Sequence, residues 1–252
     1  MDKNTLAEKI KQAKDAHKKG TEATDVHGST GSAYLKDFVY GASDGIVTTF
    51  AVVAGVAGAR LDSTIVLILG FANLIADGLS MAIGNYLGTK SENELHKKER
   101  DMELWEIEHL PKEEEQEIRD IYAAKGITGE ALEKMISAIT KNKELWADEM
   151  MVYEHGVIPG KIDSPIKNAL ATFVAFVTAG FLPLMPYVFN FKIGSLFNTA
   201  IFATAVSMFA VGSLRSVFTK KHWIIAGFEM LGVGAIAAIA AYAFGYWIEA
   251  LV

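Results

Sequence analysis

Apolar residues along this chain gather in blocks instead of recurring at the spacing of a soluble core. Five blocks stand out, over about 38–59, 65–87, 169–189, 195–218 and 223–251. A predominantly apolar block of about 20 residues can cross the hydrocarbon layer as a helix. Lipid offers no partner to backbone polar groups, so each block is predicted to be helical. Asp62 and Ser63 make a suitable start for the second block, and Pro183 and Pro186 fall near the end of the third. Trp223, Trp247 and several tyrosines lie near block ends, where aromatic belts sit.

The stretch between the second and third blocks is polar but also reads as helical. Residues 90–110 continue the second block with helix formers and few breakers. Pro111 marks a boundary and suits the start of a second helix over about 112–125, which Gly126 can close. A third helical region covers about 129–156, with a break near Asn142 and an end at Gly156 and Pro159. The predicted fold is therefore an all-α membrane protein: five transmembrane helices with a three-helix insert between spans two and three. The expected organisation is a tail (1–36), spans one and two (37–89), the insert (90–163) and spans three to five (164–252). The tail reads either as a short amphipathic helix and a linker or as a disordered segment.

Charge sharpens this division. The net charge is −6, and residues 91–163 hold 19 of the 30 acidic residues against 10 Lys and Arg. The spans and their short connections hold six acids: Asp37, Asp44, Asp62, Asp77, Glu229 and Glu249. An acidic insert speaks against nucleic acid as a partner, because phosphate binding needs a basic face, and suits cations. The tail carries seven Lys, and Arg215, Lys220 and Lys221 lie between spans four and five. The connection between spans one and two carries only Arg60, and that between three and four only Lys192. The positive-inside rule then puts the tail, the insert and the 215–221 connection in the cytoplasm. There is no cysteine, which excludes disulfides and thiolate metal sites. The first 30 residues lack the apolar core of a cleaved signal peptide.

Candidate chemistry lies in both parts. In the insert, Glu103 and Glu106 share one helix face, Glu114 and Glu117 share another, and Met150 and Glu154 a third. Carboxylates suit divalent cations, and a thioether adds preference for a softer transition metal. A solvated acidic face is the plainer reading of any single pair. Glu106 and His109 also form Glu-x-x-His, a unit that di-iron carboxylate proteins use in pairs, but the chain holds no second copy. In the spans, Asp44 sits within Gly41-Ala42-Ser43-Asp44-Gly45, whose small neighbours would admit another helix or a hydrated ion. Asn73, Asp77 and Met81, four apart, form one stripe on span two. Charged residues inside a span are functional-site candidates. Glu229 could pair with a basic residue or line a vestibule.

Together these residues resemble the vacuolar iron transporter family. The resemblance rests on Asp37-Phe-Val-Tyr-Gly-Ala-Ser-Asp44-Gly45 and on Ala76-Asp-Gly-Leu-Ser80-Met81-Ala-Ile-Gly84-Asn-Tyr86-Leu, followed by Lys90-Ser91-Glu92. Leu110-Pro111 with its glutamates, Trp146 to Gly156, and Phe181-Leu-Pro-Leu-Met-Pro186-Tyr187 match in type and order. The resemblance covers about residues 34–250. It implies a homodimeric antiporter that moves Fe2+, and also Mn2+ or Zn2+, out of the cytosol in exchange for protons, with no prosthetic group. It implies a cytoplasmic metal-binding insert whose ligands fall on Glu103, Glu106, Glu114, Glu117, Met150 and Glu154, and a path through Asp44 and Met81. Asn73 stands where some members carry Glu; Asp77, one turn on, is the candidate replacement carboxylate. The membrane would be the plasma membrane of a prokaryote or a vacuolar membrane in a eukaryote. The rival readings are a membrane-anchored metal store or sensor without transport, and a membrane di-iron oxidase.

Overall fold

The structure is a computed structural model. It describes residues 35–158, 163–219 and 221–251, with isolated positions before residue 35. The expected tail helix and linker, and Pro159, lie outside the described residues, apart from those isolated positions. Among the described residues from Leu35 on, nine α-helices follow in order: α1 (Leu35–Gly58), α2 (Ser63–His109), α3 (Pro111–Ala124), α4 (Glu130–Ile139), α5 (Lys143–Tyr153), α6 (Pro165–Gly180), α7 (Met185–Val188), α8 (Leu196–Thr219) and α9 (Trp223–Glu249). A 3-10 turn, Leu182–Leu184, joins α6 to α7. Among the described residues there is no strand beyond an isolated bridge between Ile193 and Ser195, and five helices are long and apolar enough to cross a membrane.

Local chemistry sets these boundaries. The 47 residues of α2 contain no proline, so nothing interrupts it before Pro111, which opens α3. Gly126, with φ +88°, reverses the chain after α3. The expected third helix of the insert is two helices. Asn142 separates them, its side chain accepting hydrogen bonds from the backbone N–H groups of Glu144 and Leu145 as the N-cap of α5. The segment after α6 breaks where Pro183 and Pro186 lack the N–H that a continuous helix needs.

The chain forms two compact units: one comprises residues up to Asn85 together with Ile166–Val252, the other Tyr86–Pro165. In the first, helices meet backbone to backbone. A Cβ added to Gly41 would lie 2.6 Å from the Thr172 carbonyl oxygen, and one added to Gly180 would lie 2.7 Å from the Gly45 carbonyl oxygen. A Cβ at Gly45 would come closer still to the Phe176 carbonyl. The small residues around Asp44 thus admit a helix, α6, as close membrane packing requires. Asn85 ties α1, α2 and α6 together, donating to Asp37 Oδ1 at 3.0 Å and to Thr172 Oγ1 at 2.6 Å. In the second unit, Ile107, Ile118, Tyr122, Leu132, Ile136, Ile139, Trp146, Ala147 and Met150 form an apolar core shared by the end of α2 and by α3, α4 and α5. Such a core fixes which faces of these helices meet, and so where their glutamates point.

Candidate metal centre

Two groups of potential ligands meet in the second unit. Glu103, Glu106 and Glu114 form one, and Glu103, Glu154 and His155 the other; within each, one ligand atom per residue lies within 4.8 Å of the others. Glu103 and Glu106 are one turn apart on α2, Glu114 comes from the first turn of α3, and Glu154 and His155 follow α5. Glu103 is 2% exposed and Glu114 5%. Each has an oxygen, Oε2, that is buried and without a hydrogen-bond partner among the described residues. Unpaired buried carboxylate oxygens are costly, and a cation in their midst would offset that cost. The donor set therefore fits a divalent metal.

The charges act on one another accordingly. Burial, and then the charges of Glu103, Glu117, Glu106 and Glu154, push the Glu114 carboxyl up to about 7. Desolvation, and then Glu154, Glu106 and Asp120, raise Glu117. The hydrogen bond to Glu103 raises His155 against the lowering effect of partial burial, and the charges of Glu103, Glu154 and Glu99 add to it. Packed carboxylates that cannot all ionise comfortably take up either protons or a cation.

The predicted insert residues thus separate. Glu103, Glu106, Glu114 and Glu154 lie in the two ligand groups. Glu117 is exposed and outside both, though within reach of Glu154 and Glu106 electrostatically. Met150 is fully buried in the apolar core. His109 donates a hydrogen bond from Nδ1 to the Trp105 carbonyl at 2.8 Å and stacks on the Trp105 ring; it joins neither group. Sequence reasoning missed His155, whose Nε2 lies 2.7 Å from Glu103 Oε1. Its one cue was its position between Glu154 and Gly156.

In the membrane unit, Asp44 and Asp77 lie near enough for their charges to interact. Met81 is partly buried against the apolar cluster around Phe50 and Phe176. Asn73 is partly buried, and its Nδ2 has no partner among the described residues. Glu229 pairs with Arg215 at 2.6 Å and with Lys221 at 3.3 Å, the first of the two roles left open for it.

These features define an integral membrane protein of helical class with a partly buried carboxylate cluster. Comparison with known proteins supplies the family: residues 35–246 match the model of the VIT family, and the chain belongs to it. It is 32% identical over 219 residues to vacuolar iron transporter 1 of Arabidopsis thaliana, covering 87% of each chain. It is 34% identical over 235 residues to the vacuolar iron transporter of Toxoplasma gondii, covering 90% of this chain and 78% of that one. The vacuolar iron transporter of Plasmodium berghei is 32% identical over 228 residues, with 87% and 84% covered.

Proposed function

We propose that this protein exports Fe2+, and with it Mn2+ or other divalent transition metals, from the cytosol in exchange for protons. Membership of the VIT family supports transport of a metal ion. The observation that points to a divalent cation as the cargo is the pair of buried glutamates, Glu103 and Glu114, each with an oxygen unpartnered among the described residues.

In this reading 37–89 and 164–252 form the membrane part, 90–163 a cytoplasmic collecting domain, and 1–36 a cytoplasmic tail. Glu103, Glu106, Glu114 and Glu154, with Glu117 at the rim and Met150 beneath, gather the metal. The path runs along Asp44, Asp77, Asn73 and Met81. A carboxylate that takes a metal when ionised and a proton otherwise couples the two fluxes, since both compete for it. Asn73 can offer an oxygen but carries no proton, which leaves Asp44 and Asp77 as the titrating groups of the stripe. The break at Pro183 and Pro186 gives the third span a point of flexure for alternating access.

A homodimer completes the path. Ala72, Ala76, Ser80 and Gly84, four apart and all exposed, form a ladder of small residues along α2. A Cβ on Gly84 would meet nothing within 4 Å. Such a ladder lets two membrane helices approach closely, and Asn73, Asp77 and Met81 border it one position on.

The test is metal uptake into sealed proteoliposomes with a pH dye inside. Fe2+ or Mn2+ flux with a matching pH change, abolished in Asp44→Ala while that variant still folds, is the expected result. Full transport by Asp44→Ala overturns the assigned path. Binding without flux under either pH gradient would instead identify a store or sensor.

A further inference from the structure

We propose that His155 is a metal ligand, and that Glu103, Glu154 and His155 form a second, mixed nitrogen–oxygen metal position that shares Glu103 with the all-oxygen position of Glu103, Glu106 and Glu114. The inference rests on the reading of the carboxylate cluster as a metal centre and adds to it a site with its own selectivity.

The three ligand atoms stand close to the spacing of a metal position and would reach it by a small contraction. Ligands about 2.0–2.2 Å from one ion stand roughly 3–4.2 Å apart, depending on coordination geometry. The ligand atoms of Glu103, Glu154 and His155 all fall within 4.8 Å of one another. A divalent ion drawn between them would replace the 2.7 Å hydrogen bond between His155 Nε2 and Glu103 Oε1. Glu103 can serve both positions. One oxygen meets His155, and the other, buried and unpartnered among the described residues, remains for the all-oxygen side.

Carboxylates flank the imidazole on two sides. The Glu99 carboxylate lies 3.8 Å from Nδ1, across the ring from Glu103. Nε2 donates to Glu103 in the metal-free protein, so a metal on Nε2 must displace that proton, while Glu99 stands behind Nδ1 on the side where carboxylates back ligating histidines. The backbone is also fixed. Glu154 caps α5, its N–H bonded to the Met150 carbonyl at 2.8 Å. Gly156, at φ +71°, then turns the chain so that the Val157 N–H reaches the Met151 carbonyl at 2.8 Å. His155 sits inside this fold-back and is partly buried.

The consequence is discrimination. Carboxylate-only sites suit Mn2+ as readily as other hard divalent ions, whereas an imidazole nitrogen shifts preference toward Fe2+, Co2+ and Zn2+. The all-oxygen position would take either class of ion, and the His155 position would take the second class.

The experiment is anaerobic titration of the full-length protein in detergent with Co2+ and, separately, Mn2+, for the parent, His155→Ala and Glu103→Gln. Co2+ is followed by its visible absorption as well as by calorimetry. The parent is expected to bind one more Co2+ than Mn2+ at comparable affinity. His155→Ala should lose that extra Co2+, or bind it about 10-fold or more weakly, and should lose part of the nitrogen-dependent absorption while Mn2+ binding persists. Glu103→Gln should weaken both metals. Circular dichroism melts of His155→Ala confirm that the helices remain. Unchanged Co2+ stoichiometry, affinity and spectrum in His155→Ala overturns the proposal. Equal weakening of Co2+ and Mn2+ also overturns it, because His155 would then only orient Glu103. Binding of neither metal by the parent would instead sink the collecting role itself.

Discussion

Glu229 in the last span and Glu114 in the acidic unit meet opposite surroundings. Glu229 has Arg215 at 2.6 Å and Lys221 at 3.3 Å, both supplied by the chain. Glu103 and Glu114 are more deeply buried, stand among other carboxylates, and each keep an oxygen without a partner among the described residues. His155 reaches one oxygen of Glu103, whereas Glu114 has no ion pair among the described residues. An acid whose counter-charge is built in is a structural element. An acid whose counter-charge must arrive from solution is, in the proposed reading, a receptor. The same residue type in one chain thus serves two ends, and what separates them is the neighbour that the fold provides.

The largest effect is expected where that difference is erased. Glu103→Gln with Glu114→Gln should weaken divalent metal binding by about 100-fold or more, since charge-assisted ligation is lost at two positions. The metal-free protein should at the same time melt no lower than the parent, because the repulsion among buried carboxylates goes too; calorimetry and thermal melts on one preparation read both. A fall in melting temperature without loss of binding would reverse the assignment.

The next effect is on pH. Glu114 titrates near 7 in the fold against 4.5 ordinarily. The folded protein therefore holds a proton that the unfolded chain has released between these values, and metal-free stability falls as pH rises from about 4.5 to about 7. A metal must displace that proton, so affinity should rise with pH up to about 7 and then level off. Glu114→Gln should flatten both curves. A stability curve that climbs over that window in the parent would contradict the burial of an uncompensated acid.

A smaller effect sharpens the contrast from the membrane side, where close approach does the work of charge. Gly45→Ala would drive a methyl group into the Phe176 carbonyl and should cost about 1–3 kcal/mol, read as a lower melting temperature in detergent with metal binding by the acidic unit intact. The smallest effect belongs to Glu229→Gln. An exposed ion pair contributes little, so the metal titration should not change and the melt should move least of the set.

Much of this arrangement is legible in the sequence. Apolar blocks locate the spans because lipid leaves a helix as the one way to satisfy the backbone. Pro111, Gly126 and Asn142 mark real boundaries, since each acts through its own backbone or its nearest neighbours. The helical spacing of Glu103 with Glu106 was readable for the same reason. What a sequence does not carry is the meeting of distant segments. His155 is 52 residues from Glu103 and lies in a turn beyond the end of α5, outside any helical spacing. Met150 shares a helical face with Glu154 by spacing, yet the core formed by α2, α3, α4 and α5 takes it in completely. The glycines beside Asp44 signalled close approach but not by what; the answer, α6, lies more than 120 residues further along, as the Gly41–Thr172 and Gly45–Phe176 contacts record.

Those contacts bear on how the membrane unit can move. With Gly41 and Gly45 seated on the α6 backbone and Gly180 seated on that of α1, the two helices have no side-chain cushion between them over these turns. They can neither rotate past one another nor slide without a collision of main-chain atoms, so they form a single stiff lever. Asp44 rides on that lever. Any stroke that carries Asp44 must swing α6 with it, and the first break in the helical backbone past Gly180 is where the chain passes through Pro183 and Pro186.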